Sequence, residues 1–165
     1  MSNMKRCSLC GKELLLSEFS KHNQTKDKLS LWCKKCSNAK ARVFRSTPSG
    51  VYTQIKGRNK FYQGKPFEIT RDEFINWYEN TPKKCVYCGL SEEDLPNIDD
   101  SYNNKSLRMS IDAIDNDTGY VLGNIVLCCN RCNSIKSDLL SFDEMLEFGK
   151  KYIKHHWEQQ LGHKI

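Results

Sequence analysis

Ser110-Ile111-Asp112-Ala113-Ile114-Asp115-Asn116, then Gly119-Tyr120, then Asn124-Ile125-Val126-Leu127-Cys128-Cys129, then Cys132-Asn133-Ser134-Ile135-Lys136 is the stretch whose reading decides the fold. Leu107–Ile114 reads as a strand rich in apolar and β-branched residues. Asp115-Asn116-Asp117-Thr118-Gly119 reads as a turn, because short polar side chains and glycine suit the backbone that a tight reversal needs. Asn124–Cys128 is a short second strand, and helical spacing resumes over Asn130–Lys136.

Working outward, the cysteines impose the next constraint. Eight of the nine fall into CxxC pairs, Cys7/Cys10, Cys33/Cys36, Cys85/Cys88 and Cys129/Cys132, which leaves Cys128 to pack as a small apolar residue. With hydrophobic residues at 38% of 165, the chain has little material for a large core, so small modules need staples. No apolar run is long enough for a secretory signal or a membrane span, which points to a reducing, cytoplasmic setting. There, paired CxxC knuckles read as tetrathiolate zinc sites, because each tight turn presents two sulfurs to one tetrahedral ion. Two zinc ions per chain are expected, one on Cys7, Cys10, Cys33 and Cys36, the other on Cys85, Cys88, Cys129 and Cys132.

Residues 1–45 therefore read as an N-terminal four-cysteine module: a knuckle, a strand at Leu14–Leu16, a turn around Asn23–Lys28, a strand at Leu29–Trp32, and a polar helix over Ser37–Arg45. Thr47-Pro48-Ser49-Gly50 is a breaker cluster and the first boundary. Residues 46–82 form a basic connecting segment. Within it, Thr70 and Glu73 have capping-box spacing and open a helix over Arg71–Glu79 that ends before Thr81-Pro82. The aromatic stripe of that helix, Phe74, Trp77 and Tyr78, suits a core and, less readily, a base-stacking platform. Residues 83–165 hold the second four-cysteine site. An acidic, Asn-rich loop follows its knuckle, and a helix opened by Ser141 and Glu144 carries Phe142, Met145, Leu146, Phe148, Tyr152 and Ile153 on its apolar face.

Charge divides the chain unevenly. Residues 1–65 carry fifteen Lys/Arg against three Asp/Glu, and no acid interrupts the run from Lys28 to Phe67. Lys34, Lys35, Lys40, Arg42, Arg45, Lys56, Arg58, Lys60 and Lys65 are interleaved there with aromatic residues. That pattern is the electrostatic footprint of a polyanion partner, here DNA, duplex or branched. Protein-interaction modules have no need of such a stretch, and no feature of the sequence specifies an oligomeric state.

Knuckle, Asp-bearing strand, Gly-Tyr turn, Asn and CxxCN, in this order over roughly residues 83–155, resemble the HNH (ββα-metal) endonucleases, most closely phage-type, endonuclease VII-like members with a four-cysteine zinc site. The N-terminal module resembles an accessory finger of such nucleases. The resemblance implies an α+β fold of small zinc-stabilised modules in which two strands and a helix clasp one catalytic Mg2+ or Mn2+. By position, Asp112 and Asn133 match the protein ligands of that ion, and Asn124 matches the middle Asn that pins the loop between the strands. The residue after the metal-binding Asp is commonly a His general base, and Arg in some phage relatives. Here it is Ala113, and no His occurs between residues 23 and 154. Asp115 is the nearest group able to accept a proton or bind metal, and is equally suited to stabilising its own turn. Arg108, Arg131 and Lys136 lie close enough to the motif to hold phosphates, or else face solvent. The implied function is metal-dependent DNA cleavage in a phage or mobile-element setting, carried out in the cytoplasm of an infected bacterial host. The competing reading is a nucleic-acid binder that keeps the zinc and the basic surface without turnover.

Overall fold

The computed structural model describes residues 3–62, 66–99 and 108–165, with the backbone alone for 59–62. Lys65, the side chain of Lys60, the end of the acidic loop and Leu107 lie outside the described residues. Among the described residues the chain has an α+β architecture with three two-stranded sheets and short helices, and it divides into two compact units, Met1–Gly50 and Val51–Ile165.

In the first unit β1 (Met4–Arg6) pairs antiparallel with β2 (Glu13–Leu15), and β3 (Phe19–Lys21) with β4 (Leu29–Cys33). The knuckle between β1 and β2 closes through Cys7 N–H to Lys12 O and Gly11 N–H to Cys7 O, both 2.9 Å. Its buried core is Phe19 with Cys7 and Cys33, too little apolar surface to hold a fold by burial alone. Helix α1 (Lys34–Ser46) starts three residues before the expected Ser37, because extended Cys33 ends β4 and acts directly as the N-cap. No residue of α1 is buried, and Lys34, Lys35, Lys40, Arg42 and Arg45 are exposed along it. The Lys40 ammonium lies 4.7 Å from the centre of the Trp32 ring.

The breaker cluster at Thr47–Gly50 begins a helix as well as ending one. Pro48 opens α2 (Pro48–Tyr62), where a missing N–H costs nothing, and the Thr47 hydroxyl accepts the Gly50 N–H at 3.1 Å as a cap. Val51, Tyr52 and Ile55 are buried in the same cluster as the second knuckle, so the segment read as a connector contributes to the second unit's core. Lys56 and Arg58 stand exposed on α2. Helix α3 (Arg71–Asn80) carries the complete capping box at Thr70 and Glu73. Its aromatic stripe is core: Phe74 and Tyr78 are buried, with rings stacked 5.7 Å apart, and Trp77 packs against them.

Strands β5 (Ser110–Ala113) and β6 (Ile125–Cys128) form the expected hairpin, with Ser110 opposite Cys128 and Asp112 opposite Val126. Helix α4 (Asn130–Lys136) follows at once, capped by Cys129. After Ser141, which makes the second capping box, come α5 (Phe142–Phe148), a π turn (Gly149–Ile153) and α6 (Lys154–Leu161). Gly149 presses on the knuckle: a Cβ there would stand 2.6 Å from the Tyr87 carbonyl oxygen, so only glycine lets this helix approach so closely. Val86 N–H bonds Leu127 O at 2.9 Å and ties the knuckle to β6 from the other side. Among the described residues no helix is long and apolar enough to cross a membrane.

The two cysteine quartets are each assembled, with all four sulfurs of a set within 4.8 Å of one another. A tetrahedral ion with bonds of about 2.3 Å to sulfur needs sulfurs roughly 3.8 Å apart, and Cys88 and Cys129 Sγ stand at 3.9 Å. Both quartets are thus compatible with zinc. Elemental analysis of chain purified with zinc should return two ions per molecule, and Cys33→Ser should return one. A single ion in the unmodified chain would contradict the assignment of one ion to each quartet.

Candidate active site on the hairpin and helix

Strand and helix periodicities together decide what faces what. Ser110 and Asp112 are two residues apart on β5 and share a face, while Asn133 and Lys136 are three apart on α4 and share another. These faces meet: Asn133 Nδ2 reaches Ser110 Oγ at 3.4 Å, and the Lys136 ammonium stands 3.4 Å from Asp112 Oδ2. Asp112 and Asn133 are therefore brought to one seam. Ala113 is buried and stands with Ile111 on the opposite face of β5.

Asp112 is only 7% exposed. Its Oδ2 accepts the Tyr87 hydroxyl at 2.6 Å as well as facing Lys136. Burial pushes the Asp112 carboxyl above its ordinary value, opposed by the Tyr87 hydrogen bond and the Lys136 charge. Tyr87 is pushed upward too, by burial first and then by its bond to the carboxylate, so it remains a donor. Lys136 is fully buried, and its ammonium also donates to Ala113 O at 2.8 Å. The lysine proposed from sequence as a phosphate contact is directed inward, because the nearest buried carboxylate needs a counter-charge.

Asn124 is buried, and its amide faces the turn between the strands. Its Oδ1 accepts Asp115 N–H at 2.9 Å, and its Nδ2 donates to Asp115 O at 2.8 Å and Gly119 O at 2.6 Å, which fixes the whole turn. Asp115 serves that turn: Oδ1 accepts Asp117 N–H at 2.9 Å and Oδ2 accepts the Thr118 hydroxyl at 2.6 Å. Both of its oxygens are engaged in this geometry. Gly119, at φ +75°, lies against Pro66, and Tyr120 N–H bonds Pro66 O at 2.9 Å, so residues 66–68 run alongside the turn. Arg108 and Arg131 are half-buried, and Arg108 donates to Met109 O and Gln54 Oε1.

The seam offers two oxygen ligands that could hold a hard divalent ion, the Asp112 carboxylate and the Asn133 amide oxygen. Tyr87 and Lys136 both act on Oδ2 and fix the orientation of the Asp112 carboxylate. The Lys136 charge beside Oδ2 weakens Asp112 as a cation ligand. Among the described residues, groups of three or more Cys, His, Asp or Glu that could hold a metal are the two cysteine quartets. The resemblance pointed to Asp112, Asn124 and Asn133. It missed Tyr87, whose only signal was its position inside a CxxC knuckle.

Comparison with solved structures finds the same fold in the rare-cutting HNH restriction endonuclease PacI, with a TM-score of 0.57 and 24% identity, covering 95% of this chain and 98% of that one. In sequence, the chain is 31% identical over 77 residues to the uncharacterized protein R423 of Acanthamoeba polyphaga mimivirus, a match spanning 47% of this chain and 12% of that protein. No family model matches.

Breaking the seam's ion pair from one side should be costly. Lys136→Met strands a buried carboxylate and should lower unfolding free energy by about 3–5 kcal/mol, measured by urea titration of the zinc-loaded chain. Adding Asp112→Asn should recover a large part of that loss, and equal stability of Lys136→Met and unmodified chain would contradict the network.

Proposed function

We propose that this chain is a DNA endonuclease of the HNH type that hydrolyses phosphodiester bonds at the seam between β5 and α4. The observation that carries the reading is the meeting of Asp112 and Asn133 on facing elements of a β-hairpin and helix held by four cysteines. The fold shared with an HNH restriction endonuclease along nearly the whole chain supports it. On this reading the cysteine quartets hold zinc, and the chain derives from a phage or mobile element, acts in a reducing cytoplasm and belongs with the endonuclease VII-like members.

The residues divide the work by position. Asn124 holds the turn, and so the end of β5, at fixed register. Tyr87 and Lys136 orient the Asp112 carboxylate, while Ser110 orients the Asn133 amide. Asp112 and Asn133 would hold a magnesium or manganese ion, whose chemistry is to polarise a phosphate oxygen and neutralise charge developing on the leaving oxygen. The exposed Lys34, Lys35, Lys40, Arg42 and Arg45 of α1, with Lys56 of α2, would contact backbone phosphates without reading bases.

A second reading, DNA binding without turnover, is favoured by one observation: neither Ala113 nor Asp115, whose oxygens hold its own turn, offers a proton acceptor at the seam. General base catalysis is worth about 10²–10⁴-fold, so cleavage on the first reading is slow. Supercoiled plasmid incubated with zinc-loaded chain and magnesium or manganese should give nicked and then linear product. Asp112→Asn and Asn133→Ala should each slow this by about a hundredfold or more. Intact plasmid under both ions, with duplex binding retained, would establish the second reading in place of the first.

A further inference from the structure

Beside the seam lies a cavity of about 130 Å³ lined by Gln54, Arg58, Arg108, Ser110, Tyr120 and Asn130, with Ile55 and Ile111 as its apolar wall. Its volume is several times the ~30 Å³ that one water occupies in the liquid, enough for a tetrahedral anion. All its lining comes from the second unit. Arg58 comes from α2 and Arg108 from the residue pair ahead of β5, so two elements distant in sequence deliver guanidinium groups to one space.

The chemistry of the lining is one-sided. Two guanidinium groups, a phenol, a hydroxyl and two carboxamides can all donate hydrogen bonds, and no carboxylate lines the cavity among the described residues. Arg108 is half-buried, and burial together with the nearby Arg58 charge holds its guanidinium below the ordinary value. Glu92, the acid that acts on Arg108 from outside, accepts Met109 N–H at 2.7 Å. Like charges converging on a partly dry cavity repel, and an anion between them turns repulsion into two charge-assisted contacts. Burial pushes Tyr120 upward, so its hydroxyl stays a donor at neutral pH. The cavity is also joined to the seam, since Ser110 lines it and accepts from Asn133 Nδ2 at 3.4 Å.

We propose that this cavity seats a single backbone phosphate of duplex DNA, gripped jointly by Arg58 and Arg108, and thereby sets the register of the strand against Asn133 and Asp112. The assignment deepens the DNA reading above and does not depend on turnover. It also gives the acid-free stretch a definite role, because Arg58, one member of that stretch, lines the cavity from α2.

The test uses the full zinc-loaded chain and a fluorescein-labelled 20-base-pair duplex, with affinity followed by anisotropy from low to moderate salt. Arg58→Gln, Arg108→Gln, their double variant Arg58→Gln/Arg108→Gln and, separately, Arg108→Lys are compared, each checked for zinc content and helix signal. A shared seat predicts that the double variant loses about 0.9 from the slope of log affinity against log salt, one phosphate's worth. It also predicts that the combined affinity loss falls short of the sum of the two single losses. Arg108→Lys keeps charge without the planar fork and should lose affinity while nearly keeping the slope. A loss of about 1.8 in slope with additive affinities would mean two separate phosphates and overturn the shared seat. An unchanged slope would overturn the site altogether. Inorganic phosphate, exchanged for chloride at constant ionic strength, should compete only weakly. Sub-millimolar competition would assign the cavity to a free phosphate ligand instead. An inert plasmid with these slopes intact would remove the nuclease reading and leave the seat standing.

Discussion

The second unit depends on four thiolates brought together from two places in the chain. Cys85 and Cys88 sit in a knuckle, and Cys129 and Cys132 bridge the end of β6 and the first turn of α4, all of them buried. Their separation in sequence is what gives the cluster its leverage, because one ion would join a segment ahead of the hairpin to the helix behind it. Structural zinc in small modules contributes on the order of 10–16 kcal/mol, comparable to the entire stability of an ordinary domain. An ion of that kind in the quartet would thus supply enough to hold α4 on β5 and, with it, every contact across the seam.

From that clamp the rest of the site follows by short steps. The knuckle carries Tyr87, Gly149 lets the C-terminal helix press on its backbone, and the Phe142 ring packs 5.5 Å from the Tyr87 ring. Tyr87 so held donates to Asp112, and α4 so held brings Lys136 to the same oxygen. A buried carboxylate without such partners would take up a proton or move to water. The burial of this carboxylate is thus supported by one phenol and one ammonium, each carried by a segment that bears two of the four cysteines or follows them directly.

Much of this was legible in the sequence because it was local. CxxC spacing announced both quartets, hydroxyl and carboxylate three residues apart announced both capping boxes, and Asp115-Asn116-Asp117-Thr118-Gly119 announced the hairpin turn. What was not legible depended on distance or on competing local signals. Thr47-Pro48 reads as a break, and only the Thr47 hydroxyl on Gly50 N–H shows that the same residues start α2. Lys136 reads as a surface cation until the strand it faces is known, since its counter-charge lies 24 residues earlier and on another element. Asp115 had two readings from sequence, and its bonds to Asp117 and Thr118 place it in the turn. The cavity of Arg58 and Arg108 has no sequence signature, because α2 and the approach to β5 are joined only by the fold.

The central claim is that the Cys85, Cys88, Cys129 and Cys132 centre assembles the seam on which Asp112 and Asn133 meet. Its most direct measurement is amide hydrogen exchange of the intact chain before and after zinc is withdrawn with a chelator. The account predicts that β5, β6, α4 and the knuckle lose protection together as one cooperative unit. Persistence of slow exchange in β5 and α4 after both ions have been removed would contradict it.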